Sequence, residues 1–212
     1  MNSGYTAEQL AALEEALSSE RLARYVQLTN GDTEAALEKY VLNTRLSEAL
    51  YTPLQGLEIA LRNAIHRQMR DVFGDGWYDG RVACLHYPLT EMINKAKASL
   101  QKDKKPIEAG RMVAELSFGF WVTILGPKYE TPLWRPVLRH AFPHRPPRQE
   151  RKDVQGALNA VRRLRNRVAH HEPILHRNLS EDHELIITMI QWISPEMSAW
   201  VEAQSRVPEL LL

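Results

Sequence analysis

Residues 153–171 read DVQGALNAVRRLRNRVAHH. Val154, Ala157, Val161, Leu164 and Val168 recur at steps of three and four, which predicts an amphipathic helix from about Asp153 to His171 with one core-facing stripe. Pro173 disfavours helical geometry at Glu172 and supplies the stop. Arg165 lies about 70° from the centre of the stripe and so flanks buried surface. A guanidinium there needs a paired anion, a hydrogen-bonded partner or a ligand phosphate. Asn166 and His170 are four apart and share a face, so the amide can orient the imidazole, with Arg162 beside them. That face points away from the core. Arg165 and His170 are about 140° apart on an ideal helix, so fraying before Pro173 or a second subunit has to bring them together. The plainer alternative is a solvated basic face made of Arg162, Arg163, Arg167 and His170.

Helical signals continue on both sides. Thr6 and Gln9 form a capping box that opens a helix carrying Leu10, Leu13, Leu17 and Leu22 to about Leu28. Asn30-Gly31 makes a turn, and Asp32 caps a second helix to about Tyr51. Thr52-Pro53-Leu54-Gln55 reads as another capping box with proline at the first helical position. The third helix then carries Leu54, Leu57, Leu61, Ile65 and Met69 on one face and ends near Phe73-Gly74. The Gly-rich run GDGWYDG is a loop, and a helix follows from about Leu89 to Lys102. In AELSFGFWVTILG the pattern from Ile107 favours a buried helix, with a strand over Phe120–Leu125 as the alternative. Ser180 and Ser194-Pro195 open two last helices. With no run of alternating strands, no internal repeat and no long linker, the expected fold is an all-α bundle in a single domain spanning residues 1–212.

Composition narrows the class. The chain has 212 residues, 44% hydrophobic and 25% charged, which is ample for a buried core and unlike a disordered or collagenous chain. The single Cys84 makes neither an internal disulfide nor a Cys-rich zinc site, which points to a reducing compartment. No apolar run reaches bilayer length and MNSGYTAEQL lacks the apolar core of a signal peptide, so a cytoplasmic protein without membrane partners is expected. The net charge of +1 conceals a basic block: Arg135 to Arg167 holds ten Lys or Arg and only Glu150 and Asp153 as acids. Arg145, Arg148 and Arg151 lie in its loop half, where Trp134, His140, Phe142 and four prolines predict a structured loop. Planar guanidiniums suit phosphate, so with Arg162 and Arg167 these are candidates for contacting RNA.

Familiar catalytic signatures are absent: there is no Walker loop, GxSxG elbow or HExxH. Pro143 spoils the four-residue spacing of His140 and His144, and nothing identifies a base for Cys84, so no metal site is expected. The third helix offers a second polar set. Glu58, Arg62 and His66 follow i, i+4, i+8 spacing with Asn63 adjacent, opposite the leucine stripe. Glu58–Arg62 is either a surface ion pair worth little or part of a second wall facing the His170 cluster.

Four ordered stretches carry a family resemblance: Tyr40-Val-Leu-Asn43 followed by LSEAL; LEIALRNAI from Leu57 to Ile65; LSFGFW from Leu116 to Trp121; and LRNRVAHHEPI from Leu164 to Ile174. In these the chain resembles the Abi-like abortive-infection family, a branch of the HEPN superfamily of helical ribonucleases. The likeness extends over about residues 36–180, leaving 1–30 as a helical extension and 181–212 as C-terminal helices. The superfamily's pattern of an arginine, a following polar residue and a histidine after a four-to-six-residue gap maps onto Arg165, Asn166 and His170. His171 also fits the permitted gap; His170 is preferred because His171 falls nearer the core on the wheel.

The resemblance implies an HEPN-like bundle with additional helices and a metal-independent endoribonuclease needing no cofactor. RNA carries its own nucleophile, the 2′-hydroxyl. A histidine can move that proton near neutrality, and an arginine can stabilise charge on the phosphorane. The products would be a 2′,3′-cyclic phosphate and a 5′-hydroxyl, with Arg62, Asn63 and Glu58 in catalytic or supporting roles. The implied partners are an RNA substrate, a second copy of the chain sharing the cleft, and an antitoxin protein. The implied setting is bacterial antiphage defence or a toxin–antitoxin pair. The alternatives are a catalytically inert HEPN module binding RNA, a nucleotide or a partner protein, and a purely structural helical adaptor. LSFGFW is expected to be core rather than a base-stacking surface.

Overall fold

The computed structural model describes residues 4–79 and 83–211, and among these no strand occurs. The fold is all-α and is organised around one long helix. Among the described residues ten helices follow in order: α1 (Ala7–Leu17), α2 (Ser19–Leu28), α3 (Thr33–Phe73), α4 (Leu89–Lys102), α5 (Ala109–Glu115), α6 (Phe118–Thr123), α7 (Arg151–Ala169), α8 (Leu179–Ile193), α9 (Pro195–Ala203) and α10 (Val207–Leu211). Short helical turns at Pro127–Tyr129, Glu130–Trp134 and Leu138–Ala141 fill the Pro/Arg-rich stretch before α7.

Several caps act as the sequence predicts. Thr6 and Gln9 exchange the two hydrogen bonds of a capping box, Asp32 accepts from the Ala35 N–H, and Ser194 opens α9 with Pro195 at its first position. Helix α4 spans the expected Leu89–Lys102.

Other boundaries differ from expectation. The first predicted helix is two, because Ser18 takes a left-handed φ of 69° and its hydroxyl caps α2 through Arg21 N–H. Thr52-Pro53 does not open a helix: α3 runs unbroken for 41 residues with Pro53 inside it. A helical interior proline costs about 3 kcal/mol, and Leu46, Leu50, Leu54 and Leu57, all buried, hold the backbone helical on both sides of it.

The segment 107–126 forms neither one helix nor a strand. Extended backbone at Leu116 and Ser117 divides it into α5 and α6. Helix α7 begins at Arg151, where Glu150 and Asp153 cap reciprocally, and ends at Ala169 rather than His171. Asn178, not Ser180, caps α8, and a third C-terminal helix, α10, follows α9. The GDGWYDG run is a turn as expected, with Gly74 at φ 77° closing α3; its last residue, Gly80, lies outside the described residues.

The main core joins α3 to everything after it. Leu57, Leu61, Ile65 and Met69 of α3 meet Val154, Leu158, Val161 and Leu164 of α7 and Ile186, Met189 and Ile190 of α8 in one buried cluster. The helices beyond residue 180 are therefore integral to the core rather than appended. Helix α9 comes so close to α3 that a Cβ on Gly56 would stand 2.6 Å from Val201 Cγ2. Phe118, Phe120 and Trp121 are buried with Trp77, so LSFGFW is core, as expected, and presents no ring to a nucleobase. The Trp77 indole N–H donates to His66 Nδ1 at 3.0 Å. At the other end of α3, Leu22, Tyr25, Ala36 and Leu37 form a separate small core beneath α1 and α2.

Candidate nucleic-acid cleft

Helix α7 crosses α3 so that a cleft of about 700 Å³ opens between them. Its walls include Thr44, Ser47, Tyr51, Gln55, Glu58 and Arg62 from α3, and Arg165, Val168 and His171 from the end of α7 and the turn beyond it. Positions 44, 47, 51, 55, 58 and 62 recur at three- and four-residue steps, so one unbroken stripe of α3 faces the cleft. Reading a helix boundary at Pro53 concealed that stripe from the sequence.

Arg165 and Glu58 form the pair at the centre. Arg165 Nε stands 3.7 Å from Glu58 Oε2, with both side chains partly exposed, so this is a loose ion pair of small net worth. Arg62, one turn beyond Glu58, has its Nε buried without a hydrogen-bond partner, and so does Ser47 Oγ farther along the cleft. Unmade bonds at buried polar atoms are costly, so these two positions hold unspent hydrogen-bonding capacity.

Which histidine joins Arg165 is settled by the chain's exit from α7. His170 closes the helix, its N–H bonding to Asn166 O at 2.9 Å. His171 then takes a left-handed φ of 56°, which ends the wheel geometry from which His170 was preferred. Here His171, itself exposed, lines the cleft with Arg165, whereas His170, Asn166 and Asn63 lie outside it. Within one chain the gap expected between Arg165 and His170 remains open, and Asn166 and His170 stay outside the cleft that Arg165 lines.

A left-handed histidine is unusual and is held by its neighbours. Asn43, 4% exposed, accepts the Ile174 N–H at 2.7 Å, and its amide reaches Glu172 O at 3.5 Å. Arg167 donates to Pro173 O at 3.1 Å and pairs with Glu172, while Arg21 of α2 donates to His171 O at 2.9 Å.

The remaining arginines divide. Arg151 is a correction: it is 9% exposed, donates to Glu130 Oε2 at 2.6 Å and to Leu125 O and Gln155 Oε1 at 2.8 Å each. These bonds commit three of its five N–H donors inside the protein, and with the side chain nearly buried its role is structural. Arg167 is engaged with the turn, as above. Arg145 stacks over Trp134 at 5.7 Å and donates to Pro146 O. Arg148 is exposed and Arg162 partly so. Among the described residues no group of three or more His, Cys, Asp or Glu is placed to hold a metal ion, and no helix is long and apolar enough to cross a membrane.

Comparison with protein-family models, with curated proteins and with solved structures finds no match to this chain.

Proposed function

We propose that this chain is an endoribonuclease with an HEPN-like bundle, which cleaves RNA by attack of a 2′-hydroxyl on the adjacent phosphate and serves as a toxin in antiphage or toxin–antitoxin defence. One observation carries the reading: two arginines, a carboxylate and a histidine from α3, α7 and the turn after α7 line a single cleft. Those residue types are the ones that the reaction uses. Glu58 takes the 2′-hydroxyl proton as O2′ bonds to phosphorus, and His171, as imidazolium, protonates the 5′-oxygen as the P–O5′ bond breaks. Arg165 exchanges Glu58 for the phosphate and, with Arg62, stabilises the phosphorane charge. No step calls for a metal, because the substrate brings its nucleophile.

A specific observation supports a second reading. Asn166 and His170 lie outside the cleft, so the complete motif would be assembled only by a second copy of the chain; a copy that never assembles it would be an RNA-binding module.

The test is cleavage of mixed-sequence RNA by the purified protein in excess EDTA, beside Arg165→Ala and His171→Ala, with DNA of the same sequence as control. The expected result is cutting by the wild type alone, with cyclic-phosphate ends and intact DNA. No cutting by the wild type, or equal cutting by all three, overturns it.

A further inference from the structure

The cleft continues past its two arginines. Glu58, Arg62 and Arg165 lie toward one end of the stripe on α3, while Gln55, Tyr51, Ser47 and Thr44 run toward the other, where the turn carrying His171 is bonded to Asn43. Seven residues of helix separate Tyr51 from Glu58, about 10 Å along α3. That distance is right for a nucleobase whose own phosphate rests at the arginines. We propose that the Tyr51 end is a nucleobase subsite that makes cleavage sequence-selective; this rests on the ribonuclease reading.

Three features support a base there. Tyr51 is 65% exposed although it stands on a wall of the cleft, so its ring is available for stacking. The Gln55 amide beside it donates and accepts hydrogen bonds, and the Thr44 hydroxyl, whose proton goes to Tyr40 O at 3.1 Å, still accepts, which suits the mixed edge of a base. Ser47 Oγ, buried there without a partner, adds a further polar atom at that end. Charge fixes the direction in which a nucleotide lies. At the Tyr51 end the one carboxylate on the wall, Glu48, is neutralised by Arg206 at 2.8 Å. At the other end two guanidiniums stand against one carboxylate, and only Arg165 is paired with it, so the phosphate is drawn there and the base is left beside the tyrosine.

The test has two readouts. Binding of the four 3′-nucleoside monophosphates to the full-length protein is measured by calorimetry, which needs no cleavage, and cut sites are mapped on random-sequence RNA. One nucleotide is expected to bind best, and its base should dominate one side of the cut sites. Tyr51→Ala should weaken that nucleotide about ten- to a hundredfold, and Tyr51→Phe should restore it. Gln55→Ala should broaden the base preference by lowering the rate on the favoured sequence toward that on the others.

Equal binding of all four nucleotides with random cut sites overturns the subsite and leaves the ribonuclease standing. Absence of cutting with intact, Tyr51-dependent nucleotide binding overturns the ribonuclease and leaves the subsite. If Tyr51→Ala instead converts a dimer to a monomer in sedimentation, with nucleotide affinity unchanged, Tyr51 is an interface residue and the subsite is overturned.

Discussion

The Asn43 side chain accepts the Ile174 N–H at 2.7 Å across 131 positions of sequence, tying the first third of α3 to the turn that carries His171. The bond is buried, and it acts on the cleft without lining it. Asn43→Ala should destabilise the fold by about 1–3 kcal/mol, since the Ile174 N–H loses its partner. It should also lower RNA cleavage at saturating substrate. Asn43→Asp keeps the acceptor for Ile174 but loses the donor to Glu172 O and buries a charge, so it should recover only part of both. Urea unfolding and single-turnover rates check this; unchanged rates in a destabilised Asn43→Ala protein would confine the residue to folding.

The two neighbouring histidines separate by substitution. His171→Ala should reduce cleavage by about a hundredfold or more, the usual contribution of a proton-transfer group. His170→Ala should leave the chemical step of a single-chain cleft nearly unchanged. The opposite ranking would mean that a second copy supplies His170 across a shared interface.

Arg151 separates stability from RNA contact. Arg151→Ala leaves the Leu125 carbonyl and Glu130 without their donor and should cost about 2–3 kcal/mol. Its RNA affinity below the melting range should keep the wild-type salt dependence, whereas Arg148→Ala should flatten the salt slope by about one phosphate contact. Denaturant melts and binding at several salt concentrations distinguish them.

Stability should fall on mild acidification. Burial, reinforced by Arg70, holds His66 below its usual range, and burial does the same to His183, whose Nε2 lies 2.8 Å from Ser205 Oγ. Both imidazoles are favoured neutral in the fold. Their contribution is therefore complete above the unfolded value of about 6.5 and is lost as pH falls through the lower folded values. The urea midpoint should drop between about pH 7.5 and 5, and His66→Ala, already lacking the acceptor for Trp77, should show a shallower drop from a lower start.

Much of the architecture was legible because helix starts are local chemistry. Thr6 with Gln9, Asp32, and Ser194 with Pro195 each present the side-chain acceptor or fixed φ that a helix start requires. Thr52-Pro53 presents the same local signs, and only long-range leucine packing distinguishes a proline that starts a helix from one carried inside it. Ser18 and His171 were hidden for another reason. Left-handed backbone is signalled by glycine or asparagine; at His171 long-range bonds from Arg21 and Asn43 hold it on an ordinary side chain, and at Ser18 it accompanies the local cap of α2. In the cleft, Arg165, Glu58 and Arg62 could be picked from spacing, while Ser47, Tyr51 and Gln55 were obscured by the helix break expected at Pro53.

The continuity of α3 also sets a rule for its length. Asn43, Tyr51, Glu58 and Arg62 keep their directions because a single helical screw passes through all of them. Inserting one residue between Asn43 and Glu58 would turn everything beyond it by about 100°, swinging Glu58 and Arg62 away from Arg165 while Asn43 still gripped the far turn. Seven inserted residues would restore the phase to within about 20° but slide those groups roughly 10 Å along the axis. Neither change can be absorbed, so in this protein the spacing from Asn43 to Arg62 is a fixed gauge against insertion and deletion, even where its surface side chains are free to vary.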